Sequence, residues 1–139
     1  MISSFEEKSV WVQLISLVVV LGGYFIVSGS MLARGVTVLV PYVPVFAVAV
    51  LALMLVMAVG YIAAAMTGKR EKPDERDRQI NWRAESNSSW MLASGVFLAL
   101  CALVVQLQPV WVAHLLLSFW FASELLKLIL AAIYYRRGV

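Results

Sequence analysis

The sequence predicts an all-α, polytopic membrane protein: four transmembrane helices in a bundle, with cytoplasmic N- and C-termini. The chain has 139 residues, of which 63% are hydrophobic and 14% charged. A soluble fold of this size could not bury so much apolar surface. The apolar residues also form runs, and about 20 such residues cross a bilayer as a helix. We expect one domain, residues 1–139, whose spans cover residues 10–31, 41–66, 90–106 and 110–135.

The first span is an apolar run broken only by Gln13 and three serines. A cleaved signal peptide is the alternative for this run. Against that alternative, Glu6 and Glu7 precede the run, and its apolar part is longer than a signal sequence requires.

The second span lies within residues 35–68, which carry no charge and are longer than one span requires. Proline suits the first turn of a helix and disfavours helix in the residue before it. Pro41 and Pro44 therefore predict a helix start near residue 41. Residues 36–40 would then lie at the outer interface.

The third span follows the segment 67–89, which we predict to be a cytoplasmic loop that turns into a helix. Pro73 and Asp74 are typical of a helix start. Asn87 and the two serines after it could interrupt the helix, so its continuity with the third span stays open. A short turn at residues 108–109 leads into the fourth span.

Basic residues predict the orientation, because cytoplasmic segments of membrane proteins are rich in lysine and arginine. Apart from Lys127 within the fourth span, only Arg34 lies in the opposite loops. The other basic residues lie at the chain ends or in the segment 67–89: Lys8, Lys69, Arg70, Lys72, Arg76, Arg78, Arg83, Arg136 and Arg137. This pattern explains the net charge of +3 without direct binding to nucleic acid.

Two ionisable residues, Glu124 and Lys127, interrupt the fourth span. Their spacing puts them on one helical face, where pairing would offset part of the cost of removing them from water. Three interpretations stay open: a structural pair, a relay for protons or a substrate, and a contact with another subunit or a partner protein.

The charged run 74–78 predicts a solvated helical face with local ion pairs. The alternative is a contact surface for a cytoplasmic partner, formed by Asp74, Glu75, Arg76, Asp77 and Arg78. A metal site is less favoured, because the arginines compete for the carboxylates and no glycine-bearing calcium loop is present.

The remaining chemistry is sparse. Cys101 and His114 are each the only residue of their type, which excludes clusters of the zinc-binding kind. We read His114 as an interfacial residue that only a neighbouring helix could partner. Small residues, among them Gly22, Gly23 and Gly95, predict close helix packing. We expect no enzyme activity, catalytic residue, cofactor or metal.

Two segments carry a family resemblance: residues 73–84, PDERDRQINWRA, and residues 123–139, SELLKLILAAIYYRRGV. On them the chain resembles a family of small prokaryotic multi-span membrane proteins of unknown function. That family has a DERDR-type motif before a span and a last span of the form E-L-x-K ending in Y-x-R-R-G or Y-R-R-G. The resemblance covers about thirty residues. It departs at residues 86–90, where a further basic residue and a tyrosine would be expected.

The resemblance implies that the run 74–78, Glu124, Lys127, Arg136 and Arg137 belong to a family pattern. It also implies the bacterial inner membrane as location and, as a cytoplasmic partner, a small regulator of the helix-turn-helix kind. It implies no activity.

The function we predict first is a non-enzymatic interaction or regulatory protein whose cytoplasmic loop contacts a soluble partner. The alternative is a small oligomeric transporter or channel that uses Glu124 and Lys127. The expected partners are the lipid bilayer, a further copy of the chain and the cytoplasmic regulator.

Overall fold

The computed structural model describes residues 4–68 and 72–138. They form an all-α structure of four helices, each long and apolar enough to cross a membrane. The helices are α1 (Phe5–Ala33), α2 (Tyr42–Met66), α3 (Glu75–Val104) and α4 (Pro109–Arg137). Of the basic residues that predict the orientation, Lys69 and Arg70 lie outside the described residues.

Helix starts follow the local sequence. The Ser4 hydroxyl accepts a hydrogen bond from the Glu7 backbone N–H at 3.2 Å and caps α1. Pro41 immediately precedes α2, and Pro109 is the first residue of α4, where a proline costs no helical hydrogen bond. Asp74 caps α3. The predicted starts of the second, third and fourth helices are therefore confirmed to within a few residues.

Helix α3 is continuous from Glu75 to Val104, so the segment expected to be a loop and the third span share one helix. The Ser88 and Ser89 hydroxyls each donate to the backbone carbonyl three residues earlier, at 3.1 Å in both cases. These bonds satisfy the hydroxyls without displacing a helical hydrogen bond. The polar residues therefore do not interrupt the helix.

The helices pack as two hairpins, α1 with α2 and α3 with α4, which meet where α1 contacts α4. The resulting order is α2, α1, α4, α3. Helix α2 buries very little of its apolar surface. The four-helix bundle that the sequence predicts is thus not confirmed: the outer helices α2 and α3 make no extensive contact with each other.

A glycine permits close approach in each hairpin. A Cβ atom at Gly95 would collide with the Cβ of Phe119 in α4, and one at Gly60 would collide with a Val12 methyl group in α1. The prediction of close packing is confirmed for Gly95. It is wrong for Gly22 and Gly23, where a Cβ would meet nothing within 4 Å.

Candidate functional sites

Four helix termini meet at one end of the molecule, which we call the charged end: the beginnings of α1 and α3 and the ends of α2 and α4. The Lys8 ammonium donates to the Thr67 hydroxyl at 3.3 Å, linking α1 to α2. The Arg76 guanidinium donates to the Tyr135 backbone carbonyl at 3.1 Å, linking α3 to α4. Most of the polarity predicted for the cytoplasmic side is gathered here.

Asp77 accepts hydrogen bonds from two helices at the charged end. One of its carboxylate oxygens accepts from the Asp74 backbone N–H at 2.9 Å. The other accepts from the Tyr135 hydroxyl at 2.8 Å. In return the Asp74 carboxylate accepts from the Asp77 N–H at 2.7 Å. This capping box starts α3 and at the same time binds it to the last turn of α4.

Arg76 adds a second contact between α3 and Tyr135. The last carbonyls of a helix have no partner within it, and Arg76 supplies one to the Tyr135 carbonyl. One residue away, the Asn87 amide donates to the Tyr134 hydroxyl at 2.8 Å. We call the set Asp74, Arg76, Asp77 and Tyr135 the clasp.

The clasp changes how the charged run 74–78 is understood. Asp77 is buried. Asp74 and Arg76 are exposed, but their side-chain hydrogen bonds, like those of Asp77, are internal to the fold. Glu75 and Arg78 are exposed. Of the five residues predicted to contact a partner, these two therefore have side chains that no described contact engages.

Glu124 and Lys127 form the ion pair that their spacing predicts. The Lys127 ammonium lies 2.6 Å from a Glu124 carboxylate oxygen. Their side chains are 33% and 30% exposed, respectively, so each is partly accessible at the protein surface. The pairing is confirmed, and which of the three roles it serves stays a prediction.

Lys127 also reaches a polar cleft of about 240 Å³ between α1 and α3, with α4 as its floor. The cleft exists because α1 and α3 each pack on α4 and make no extensive contact with each other. The Gln13 amide donates to the Ser9 hydroxyl at 3.2 Å in its wall. Its lining residues are Glu6, Ser9, Val10, Gln13, Asn81, Glu85, Lys127, Leu128 and Ala131.

The opposite end of the molecule holds a cluster that the sequence does not predict. His114 is buried between α1, α2 and α4, at hydrogen-bond distance (3.2 Å) from the Tyr24 hydroxyl. Its Nδ1 lies 2.8 Å from the Val110 carbonyl. A carbonyl only accepts, so Nδ1 carries a proton; in the tautomer protonated at Nδ1 alone, Nε2 accepts from the Tyr24 hydroxyl. The Tyr42 ring packs edge-on at 4.8 Å.

His114 is therefore buried in a packed cluster and has its partner on a neighbouring helix, and its position at the membrane interface stays a prediction. A cavity of about 190 Å³ beside it is mainly apolar and aromatic. Tyr24 and Tyr42 lie 90 and 72 residues away along the chain, so no local pattern could have identified them. The sequence signal was limited to an isolated histidine in an apolar run.

Among residues 4–68 and 72–138, no group of three histidine, cysteine, aspartate or glutamate side chains could hold a metal ion. Cys101 is exposed on α3. The described side chains offer hydrogen bonds at the charged end, the Glu124–Lys127 ion pair within α4, and aromatic packing with hydrogen bonds around His114.

In comparisons with protein-family models, with curated proteins and with solved structures, the chain shows no significant match. The resemblance on residues 73–84 and 123–139 therefore stays a prediction.

Proposed function

We propose that this chain is a non-enzymatic membrane interaction protein of the bacterial inner membrane, with both termini and the charged end in the cytoplasm. A soluble partner, of the regulator kind that the resemblance implies, binds the outward face of the first turns of α3. We call the residues Glu75, Arg78 and Trp82 the outward face.

The observation that supports the proposal is that the first turns of α3 have one buried side and one exposed side. Asp77, Ile80 and Ala84 are buried on the side that faces α4, while Trp82 on the other side is 71% exposed. Tryptophan and arginine are the residues that most often dominate binding energy at protein interfaces. An exposed tryptophan beside two charges of opposite sign is thus a suitable contact for a protein partner.

The experiment is co-purification after gentle extraction, with a photo-reactive residue at the exposed position 79, beside the outward face, to capture the partner. We expect Trp82→Ala and Arg78→Glu to abolish capture while the helical content stays unchanged. Phe97→Ala is the matched control, because Phe97 is an exposed aromatic residue of the same helix in its apolar half. Capture of the same soluble protein by both outward-face variants would refute the proposal.

The proposed orientation has its own test. After Cys101→Ser, a single cysteine placed at position 78 should resist a membrane-impermeant maleimide in intact cells and react once the membrane is opened. A cysteine at position 36, before α2, should react in intact cells. The reverse pattern would contradict the cytoplasmic placement of the charged end.

A second candidate function rests on the polar cleft. We propose as the alternative that the chain is a small oligomeric transporter or channel, in which Lys127 and its partner Glu124 lie beside the entry of a polar path. Flux of protons and small cations into reconstituted vesicles tests it. Glu124→Gln should reduce the flux at least about tenfold, which corresponds to about 1.4 kcal/mol, and the exposed Glu75→Gln should not. Vesicles that stay impermeable with the unaltered protein would remove this candidate.

A further inference from the structure

The contact between α1 and α4 has two faces of opposite character. One face is the polar cleft that Lys127 lines. The other is a groove of about 160 Å³, formed by Trp11 and Leu14 of α1 and by one side of α4. On α4 the groove is lined by Ile129, Ala132, Ile133 and Arg136.

The groove is apolar along its length and cationic at one end. Ile129 and Ile133 are 39% and 40% exposed, and they lie one helical turn apart, so they present a continuous apolar strip. Arg136 lies the next turn along, at the charged end. Its guanidinium carbon is 5.2 Å from the centre of the Trp11 ring, a cation–π contact.

The Arg136 charge has no anionic partner in the part of the chain that the structure describes. The carboxylates of the clasp lie across the helix end, where Asp77 binds Tyr135. Arg136 is exposed, and no hydrogen bond of its guanidinium is described within residues 4–68 and 72–138, so its N–H donors are available to a ligand. A planar guanidinium with free edges suits a phosphate oxygen pair.

We propose that this groove binds one anionic phospholipid. Arg136 holds the phosphate, Trp11 supports the guanidinium at the level of the headgroup, and an acyl chain lies on Leu14, Ile129 and Ile133. Charge complementarity identifies the occupant. A zwitterionic lipid brings an ammonium group to a site whose described charge is positive, and a soluble phosphate ester leaves the apolar strip unfilled. Basic residues above grooves between membrane helices bind anionic headgroups in this way.

The test uses the full chain in neutral detergent and measures bound lipid by native mass spectrometry. The probes are dioleoylphosphatidylglycerol, dioleoylphosphatidylcholine with the same acyl chains, and glycerol 3-phosphate, which lacks them. We expect phosphatidylglycerol to bind with one copy per chain, and more tightly than phosphatidylcholine. Arg136→Gln should weaken its binding about tenfold, because a charge-assisted hydrogen-bond pair is lost.

Arg137→Gln is the matched control, since it removes the same charge one residue later and Arg137 does not line the groove. It should change binding by less than about twofold. A second variant, Ile133→Trp, fills the groove and leaves Arg136 in place, so binding should fall there as well. Val48→Trp, at an exposed position of α2, should leave it unchanged.

Three results would overturn the proposal. Equal losses in Arg136→Gln and Arg137→Gln would indicate attraction to net charge alone. Equal binding of the two phospholipids would indicate that the headgroup charge is not recognised. Displacement of the lipid by glycerol 3-phosphate at the same concentration would identify a soluble phosphate ester as the ligand.

Discussion

The two hairpins share a close contact at a glycine and differ in the hydrogen bonds between their helices. In each, a glycine of one helix lies against a side chain of the other: Gly60 against Val12, and Gly95 against Phe119. The α3–α4 hairpin adds polar contacts along its length, from the clasp to the Ser123 hydroxyl, which donates to the Ser88 carbonyl at 3.2 Å. Across α1–α2, the hydrogen bond described between the helices is that of Lys8 with Thr67.

The difference teaches what specifies a helix pair in lipid. Apolar side chains gain little by leaving lipid tails for another helix, since both surroundings are equally apolar. Close backbone approach and hydrogen bonds are then the contacts that select a partner. On this argument α3–α4 is the more stable hairpin. The first two predictions below test it, and the other two test the contact between the hairpins and the ion pair within α4.

The largest effect is expected at the glycine of the second hairpin. Gly95→Ala should lower the free energy of unfolding by about 3 kcal/mol, because the new methyl group collides with the Cβ of Phe119, which cannot move without its helix. Gly60→Ala should cost about 1 kcal/mol, since it meets only the end of the Val12 side chain. Unfolding in mixed micelles with increasing dodecyl sulfate, followed by circular dichroism, measures both.

Gly23→Ala is the control for these glycine variants, because a Cβ there meets nothing within 4 Å and reports the change in helix propensity alone. If Gly60→Ala proved as damaging as Gly95→Ala, the two hairpins would be equally tightly packed and the comparison would fail.

The clasp should give the next largest effect. Asp77→Ala removes one half of the capping box and the acceptor of the Tyr135 hydroxyl, and we expect a loss of about 2 to 3 kcal/mol. Glu75→Ala, an exposed acidic residue in the same turn, is the control and should stay within about 0.5 kcal/mol. The same dodecyl sulfate titration applies.

A double-mutant cycle isolates the contact between α3 and α4 within that loss. The double variant Asp77→Ala/Tyr135→Phe should lose at least about 1 kcal/mol less free energy of unfolding than the sum of the losses in the two single variants. Strict additivity would show that Asp77 acts only as a helix cap and does not hold α4.

The third largest loss of stability is expected at the contact between the hairpins. His114→Phe keeps the aromatic volume and removes the acceptor of the Tyr24 hydroxyl, so we expect a loss of about 1 to 2 kcal/mol. Trp111→Phe, an exposed position near the start of the same helix, should change little. A loss in His114→Phe no greater than in Trp111→Phe would mean that the histidine does not join α4 to α1.

The smallest effect is expected at the ion pair of the fourth helix. Glu124→Ala and Lys127→Ala should each cost less than about 1 kcal/mol, because a pair three residues apart on one helix joins no second helix and contributes only to α4 itself. If the two residues pair only with each other, replacing one should lower the free energy of unfolding more than replacing both. Additive losses in the micelle titration would argue that each residue has a separate partner.

Asp74 and Asp77 illustrate which part of the site can be predicted from sequence. Asp74 follows a proline and precedes a helical stretch, so the adjacent residues predict that it caps the helix, and this prediction is confirmed. Asp77 looked like part of a solvated face. Its partner Tyr135 lies 58 residues away, and no local spacing connects the two.

The ion pair and the histidine show the same contrast between a contact within one helix and a contact with a distant residue. Glu124 and Lys127 are three residues apart on one helix, so the helical repeat alone brings them together, as observed. His114 depends on Tyr24 of another helix, and the fold had to be known before its burial could be recognised. Helix continuity through Ser88 and Ser89 was also undecided, since serine hydroxyls can either compete with or join the helical hydrogen bonds.

By itself the sequence determined the number of apolar spans, the starts of α2, α3 and α4 to within a few residues and the gathering of charge at the ends of the apolar runs. These properties depend on local composition, because each helix satisfies its own backbone groups and crosses lipid by its own apolar length. Only the tertiary structure decided which helices pair, which glycines are closely packed and which charges of the run 74–78 point inward. The reason is that apolar side chains surround each helix, so no stripe along it marks the side that meets another helix rather than lipid.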